Sequence, residues 1–259
     1  MPFINDTEYF DFLKDKRVAV VGPARSAEGK RQGSFIDSYD VVVRIKSRFV
    51  AEDRKDDLGT RGDILYTDDH EANDIVPGDT VVTGDRPDKQ IITKVSQDAP
   101  ELIDFKYTCS VYPQGEWFFN RFASPLQYLS QLGKVRVISD QPYLSIKEKT
   151  NRPNAGFSAV IDLLTSPLAE LYITGIDFYR SLYRGSYLNS KWNKDTVKRM
   201  ASDPDGVDPR TGKPDFHDPD AQFKYFKYEM YAKDKRIKVD EFLDKALNNP
   251  IYEKYENIL

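Results

Sequence analysis

The chain has 259 residues, 38 Lys and Arg against 42 Asp and Glu, 39% hydrophobic residues and one cysteine, which excludes a disulfide-stapled scaffold or a cysteine-ligated zinc module. A formal net charge of −4 argues against a general binder of nucleic acid or anionic membrane, because neutralising phosphate needs a basic field. At roughly 150 residues per domain the length allows one or two domains, each able to bury a sizeable core without staples.

The chain opens with Asp6, Glu8 and Asp11 where a signal peptide carries basic residues and an apolar run, and residues 7–13 are expected to form a short surface helix. No apolar run approaches the 18 or so residues of a membrane span. A soluble protein, cytoplasmic or otherwise, with no signal peptide, anchor or membrane span is therefore expected. Short β-branched runs follow at residues 17–21, 41–45, 63–66, 80–82, 135–138 and 171–174, with helices expected at 117–132 and 156–164. Their apolarity is continuous rather than alternating. That pattern predicts an α/β fold, a mostly parallel, Rossmann-like sheet between two helix layers.

No repeat or low-complexity linker divides the first 180 residues, so a single domain is expected, with a core over residues 16–178. Residues 179–219 are polar and rich in Tyr, Lys, Asp, Gly and Pro, as in lid or binding loops. Asp218 then reads as an N-cap with Pro219 at the first helical position, opening a helix with Phe223, Phe226 and Met230 on one face. A strand near residues 237–239 and a helix over 242–247 close the chain.

The first candidate site is the turn after the opening strand, Gly22, Pro23, Ala24, Arg25 and Ser26. In an open parallel sheet ligands gather beyond the carboxyl ends of the strands, and a glycine turn entering a helix presents N–H groups to phosphate. Neither the dinucleotide fingerprint nor the P-loop is present, so a plain strand-to-helix connection stays open. Arg44 and Lys46 end the second strand. A cation within so apolar a run requires a partner, either an anionic ligand or a structural carboxylate at Asp37 or Asp40.

Taken in order, these segments resemble the sialyl motifs of glycosyltransferase family 29, the sialyltransferases. Residues 18–46 resemble the long motif, with Ile36-Asp37-Ser38-Tyr39-Asp40 leading to Val43-Arg44-Ile45-Lys46, and Gly59-Thr60-Arg61 following. Arg152-Pro153-Asn154-Ala155-Gly156-Phe157 and the later Thr174-Gly175-Ile176-Asp177-Phe178 resemble the short motif. His217, five residues before Gln222, resembles the very small motif. The likeness spans residues 18–222.

That resemblance implies a Rossmann-like single domain, a variant of the GT-A architecture, and metal-independent, inverting transfer of an acidic sugar from a CMP-sugar donor to a glycan acceptor. No cofactor beyond that substrate is implied, and no nucleic-acid partner. His217 is the implied general base; its place before a helix N-cap disfavours the imidazolium. Gly22, Pro23, Ala24, Arg25, Ser26, Asn154, Ala155 and Gly156 would hold phosphate and ribose, while Gly175, Ile176, Asp177 and Phe178 would receive the base. Arg44 and Lys46 would face the donor's anionic groups, and Tyr183 or Tyr187 would stand where the family has a phosphate-facing histidine. The family's cystine partners fall at Val18 and near Ala169, so that disulfide cannot form.

Without the family, Asn154 reads as an ordinary helix cap and a loop histidine as a solvated one. His70, in Asp68-Asp69-His70-Glu71, reads as an exposed residue. Asp203-x-Asp205 and Asp218-x-Asp220 match the metal motif of UDP- or GDP-sugar glycosyltransferases, although both lie among turn residues. A catalytically silent nucleotide or glycan binder is the remaining alternative.

Overall fold

The computed structural model describes residues 6–47, 50, 52–67, 80–83, 91–94, 103–112, 134–181 and 217–253. The first two strands are β1 (Arg17–Val21) and β2 (Val41–Ile45), paired in parallel. Their side chains serve two cores. Val18 and Val20 of β1 enter the larger apolar cluster with Val41, Val43 and Ile45, whereas Ala19, Val21 and Val42 enter a smaller one on the opposite face. Two covered faces are the physical reason for continuous apolarity.

The chain then forms β3 (Ile64–Thr67), a detached antiparallel pair β4 (Thr80–Thr83) and β5 (Ile91–Lys94), and β6 (Tyr107–Ser110), β7 (Lys134–Val137), β8 (Glu170–Thr174) and β9 (Ile237–Val239). The main sheet has seven strands in the order β7-β6-β3-β2-β1-β8-β9, every neighbouring pair parallel. The expected Rossmann-like α/β sheet is therefore the observed one, except that the run at residues 80–82 pairs with β5 outside it. From β1 the chain steps outward to β7, then returns to lay β8 on β1's other side. The order reverses between β1 and β8, and ligands of open α/β sheets bind at such a reversal.

Helices cover both faces. α1 (Asp6–Leu13) was expected at the surface, but Tyr9 and Leu13 are fully buried in the larger core. α2 (Gly33–Asp37) and α3 (Lys55–Leu58) place Ile36 and Leu58 in the smaller one. α4 (Asp140–Thr150) and α5 (Ala155–Leu164) lie against the larger core, as do α6 (Pro219–Tyr225) and α7 (Glu241–Asn248). α6 continues as a π-helical turn, Phe226–Tyr231, and both Phe223 and Phe226 are fully buried. The expected helix at 117–132 lies outside the described residues. Among the described residues no helix is long and apolar enough to cross a membrane.

A charged pair is buried within the larger core. Arg136 of β7 grips Asp162 of α5 through Nη1 and Nη2 at 2.5 and 3.0 Å, and its Nε donates to Asp6 of α1 at 2.9 Å. The Tyr66 hydroxyl also donates to Asp162, and Tyr9 shares a hydrogen bond with Tyr66 at 2.8 Å. The cation is thus satisfied, as burial requires, and the network links α1, α5 and the strands β3 and β7.

Candidate functional site

The backbone after β1 is laced to the backbone after β8. The Gly22 N–H donates to the Thr174 carbonyl at 2.8 Å and the Ala24 N–H to the Gly175 carbonyl at 2.9 Å. A Cβ at Gly22 would lie 2.2 Å from the Gly175 oxygen, and one at Gly175 would lie 2.6 Å from the Gly22 oxygen. Both residues are glycine because two backbones touch here. Ser26 N donates to Ser181 Oγ at 3.1 Å. The turn was expected to offer its N–H groups to a phosphate; those of Gly22, Ala24 and Ser26 are instead committed to the β8 side, and Pro23 has none. Arg25 is the exposed member, its side chain 65% accessible and paired with Glu28 at 3.3 Å.

The Asn154, Ala155 and Gly156 corner opens α5. Asn154 Oδ1 accepts from the Phe157 N–H at 2.9 Å, an N-cap that satisfies one orphan donor of the first turn. Gly156 faces Ile176: a Cβ there would meet that side chain at 3.2 Å, and one at Gly22 would meet it at 2.5 Å. The two glycine corners therefore converge, but the side chain of Ile176 fills the space between them.

His217 belongs to the same corner. It bridges to Asn151, and its Nδ1 lies 2.8 Å from the Arg152 carbonyl. A carbonyl only accepts, so Nδ1 carries a proton; in the neutral form of the ring that tautomer has its lone pair on Nε2. Gln222, fully buried, donates to the same carbonyl at 2.9 Å and accepts from the Asn154 N–H at 3.3 Å. Asp218 Oδ1 caps α6 through the Asp220 and Ala221 N–H groups. Asp220 binds Arg180 at 2.7 Å. The second Asp-x-Asp pair thus has structural partners, while Asp203 and Asp205 lie outside the described residues.

The strand end after β8 differs from expectation in one respect. Phe178 is 2% exposed, its ring packed on Phe157, Phe223 and Phe226, so it belongs to the core rather than to a surface that could stack a base. Asp177 is buried, and desolvation pushes its carboxyl up to about 6 although the Ser181 hydroxyl donates to it. Asp240, the N-cap of α7, accepts from Thr174 Oγ1 at 2.8 Å and the Gly175 N–H at 3.2 Å. Tyr179, which sequence reasoning passed over, stacks on His217 with ring centroids 6.3 Å apart at 24°; the signal that could have drawn attention to it is an aromatic directly after a strand-end glycine segment.

Arg44 and Lys46 sit at the carboxyl end of β2. Arg44 is 2% exposed and donates to the carbonyls of Leu58 at 2.7 Å and Arg61 at 2.8 Å. Neither expected carboxylate is its partner: Asp37 accepts from the Thr60 and Arg61 N–H groups, and Asp40 from the Arg17 N–H. The Lys46 N–H donates to the Tyr66 carbonyl at 2.7 Å, with Lys46 in a left-handed conformation at φ 59. Tyr183, Tyr187 and His70 lie outside the described residues.

Among known structures, a mammalian sialyltransferase crystallised with Gal-beta-1-3GalNAc-ortho-nitrophenol is similar at 13% identity and a TM-score of 0.49, over 92% of this chain and 74% of that one. A second mammalian sialyltransferase structure is similar at 13% identity and a TM-score of 0.43, over 88% of this chain and 69% of that one. Likenesses of this degree carry no argument about activity; the architecture stands on the strand order. No protein-family model matches the chain, and no curated protein matches it.

Proposed function

We propose that the chain is an inverting glycosyltransferase that moves an acidic sugar, sialic acid or a Kdo-like sugar, from a CMP-sugar to a glycan hydroxyl. The observation that carries this reading is the hydrogen bond from His217 Nδ1–H to the Arg152 carbonyl, which puts the lone pair of a neutral ring on Nε2, at the corner that also starts α5. The acceptor hydroxyl gives its proton to Nε2 as its oxygen attacks the anomeric carbon, and the bond from that carbon to the CMP phosphate breaks. A monophosphate leaving group develops less charge than a diphosphate, so a helix N-terminus and a few cationic or hydroxyl donors are enough to stabilise it.

In this scheme the α5 N-terminus at Asn154, Ala155 and Gly156 faces the phosphate, and Arg25 supplies the cation. Arg25's pair with Glu28 is exposed and therefore weak, which leaves the guanidinium available for exchange to a donor phosphate. Tyr183 and Tyr187 are assigned to the leaving oxygen on the motif resemblance alone. His217→Ala should abolish transfer, by at least 10² to 10⁴-fold for a lost general base, while calorimetry still detects CMP binding. Full transfer by that variant would remove His217 as the base.

A second reading, a silent nucleotide or glycan binder, is favoured by the internal commitment of the Gly22 and Ala24 N–H groups. Slow hydrolysis of a CMP-sugar would decide against it.

A further inference from the structure

Beyond β8 the backbone is left-handed at two successive residues that are not glycine, Phe178 at φ 53 and Tyr179 at φ 64. Such conformations are unfavourable for residues with a Cβ, and they persist where the surroundings impose them. Here two agents impose them. The Phe178 ring is anchored in the aromatic core. Arg180, 2% exposed, donates to the Phe178 carbonyl at 2.6 Å, the Pro219 carbonyl at 3.0 Å, Asp220 at 2.7 Å and the Tyr252 carbonyl at 3.0 Å. Its guanidinium also lies 4.3 Å from the Phe223 ring centroid. One buried cation therefore locks the end of β8 to the first turn of α6, two residues beyond His217. Between these anchors Tyr179 has its ring beside the imidazole, nearly parallel to it.

We propose that Tyr179 is a positioning residue: its ring walls one side of His217, restricting rotation of the imidazole so that Nδ1 stays on the Arg152 carbonyl and Nε2 faces the acceptor. The strain at Tyr179 is the structural cost of placing an aromatic wall where a glycine would fit the backbone better. This inference rests on the reading of His217 as the base, and it is tested apart from it.

Tyr179→Gly suits the test because glycine readily adopts φ 64, so the fold survives while the wall is lost. The chain has two histidines, so nitrogen and proton resonances of His217 are assignable by comparison with His217→Ala. In the parent protein the expected signals are a single Nδ1–H tautomer and ring-current displacement from Tyr179. In Tyr179→Gly the displacement should vanish and the second tautomer appear, and kcat should fall roughly 10²-fold with the donor KM unchanged, as for a misaligned catalytic group. Tyr179→Phe should restore both. Unchanged imidazole resonances in Tyr179→Gly would overturn the positioning role, and altered resonances with full kcat would overturn its bearing on transfer. Full transfer by His217→Ala would instead defeat the base assignment, leaving the resonance comparison to decide the contact.

Discussion

Asp177 lies 3% exposed at the end of β8, where desolvation, opposed by nearby hydroxyls, pushes its carboxyl up to about 6. The folded chain therefore keeps a proton that the unfolded chain has lost between pH values of about 4 and 6, so the contribution of this group to stability is fully present below that window and is lost as pH rises through it. A shift of about two pH units corresponds to a loss on the order of 2–3 kcal/mol at neutral pH. Asp177→Asn, which still offers Ser181 an acceptor, should recover much of that amount at pH 7 and flatten the slope; denaturant midpoints at pH 4.5 and pH 7 check both, and an unchanged slope would contradict the assignment. At this scale the motif resemblance singled out His217 and Asn154, which by spacing alone read as a loop histidine and a helix cap, and Asn154 is such a cap. Tyr179 and the core position of Phe178 were hidden, because they follow from left-handed backbone set by Arg180, and nothing in residue spacing encodes that. Arg44 was recognised as a buried cation needing a partner, but it donates to the carbonyls of Leu58, at the end of α3, and of Arg61 beyond it, which composition does not reveal.

The Arg136–Asp162 pair shows what elements require of each other. It joins α5 to β7 and, through Asp6, α1. Arg136→Met leaves Asp162 charged, buried and short of its main partner, which should cost about 3–5 kcal/mol. Thermal unfolding checks this, and a loss below about 1 kcal/mol would show that water or Tyr66 compensates. Beside this pair Cys109 is fully buried with its thiol pushed up to about 12, chiefly by desolvation, as for an inert structural cysteine. Strands β1 and β2 were readable to the residue because four of the five residues in each are apolar and buried, on both faces. β6 was not, since Tyr-Thr-Cys-Ser carries polar Thr108 and Ser110 into full burial and lacks the aliphatic signature. α4 was missed for a related reason: it buries only Tyr143, Ile146 and Thr150, too thin a stripe for a clear helical period. The run at residues 80–82 was recognised as a strand but given the wrong sheet, because a run's composition does not name its partner.

Across the whole molecule, the returning crossover that places β8 beside β1 brings Gly22 against Gly175 and, through Ile176, within reach of Gly156. The motif resemblance implied that the Gly22 and Gly156 corners face one ligand; the side-chain wedge between them emerged only in three dimensions, since its size depends on how closely two backbones approach. The proposed function requires that a cytidine monophosphate unit bind at this reversal, outside Ile176 and beside the His217 corner. A thermal-shift comparison of CMP, CDP, UDP, GDP and NAD tests it most directly, because a ligand that binds only the folded state raises its melting temperature, by about 2.7 kcal/mol of added stability at a hundredfold excess over Kd. The account predicts a rise with CMP that persists in His217→Ala and is reduced in Arg25→Ala. A chain unmoved by CMP but stabilised by UDP or GDP together with a divalent cation would contradict it.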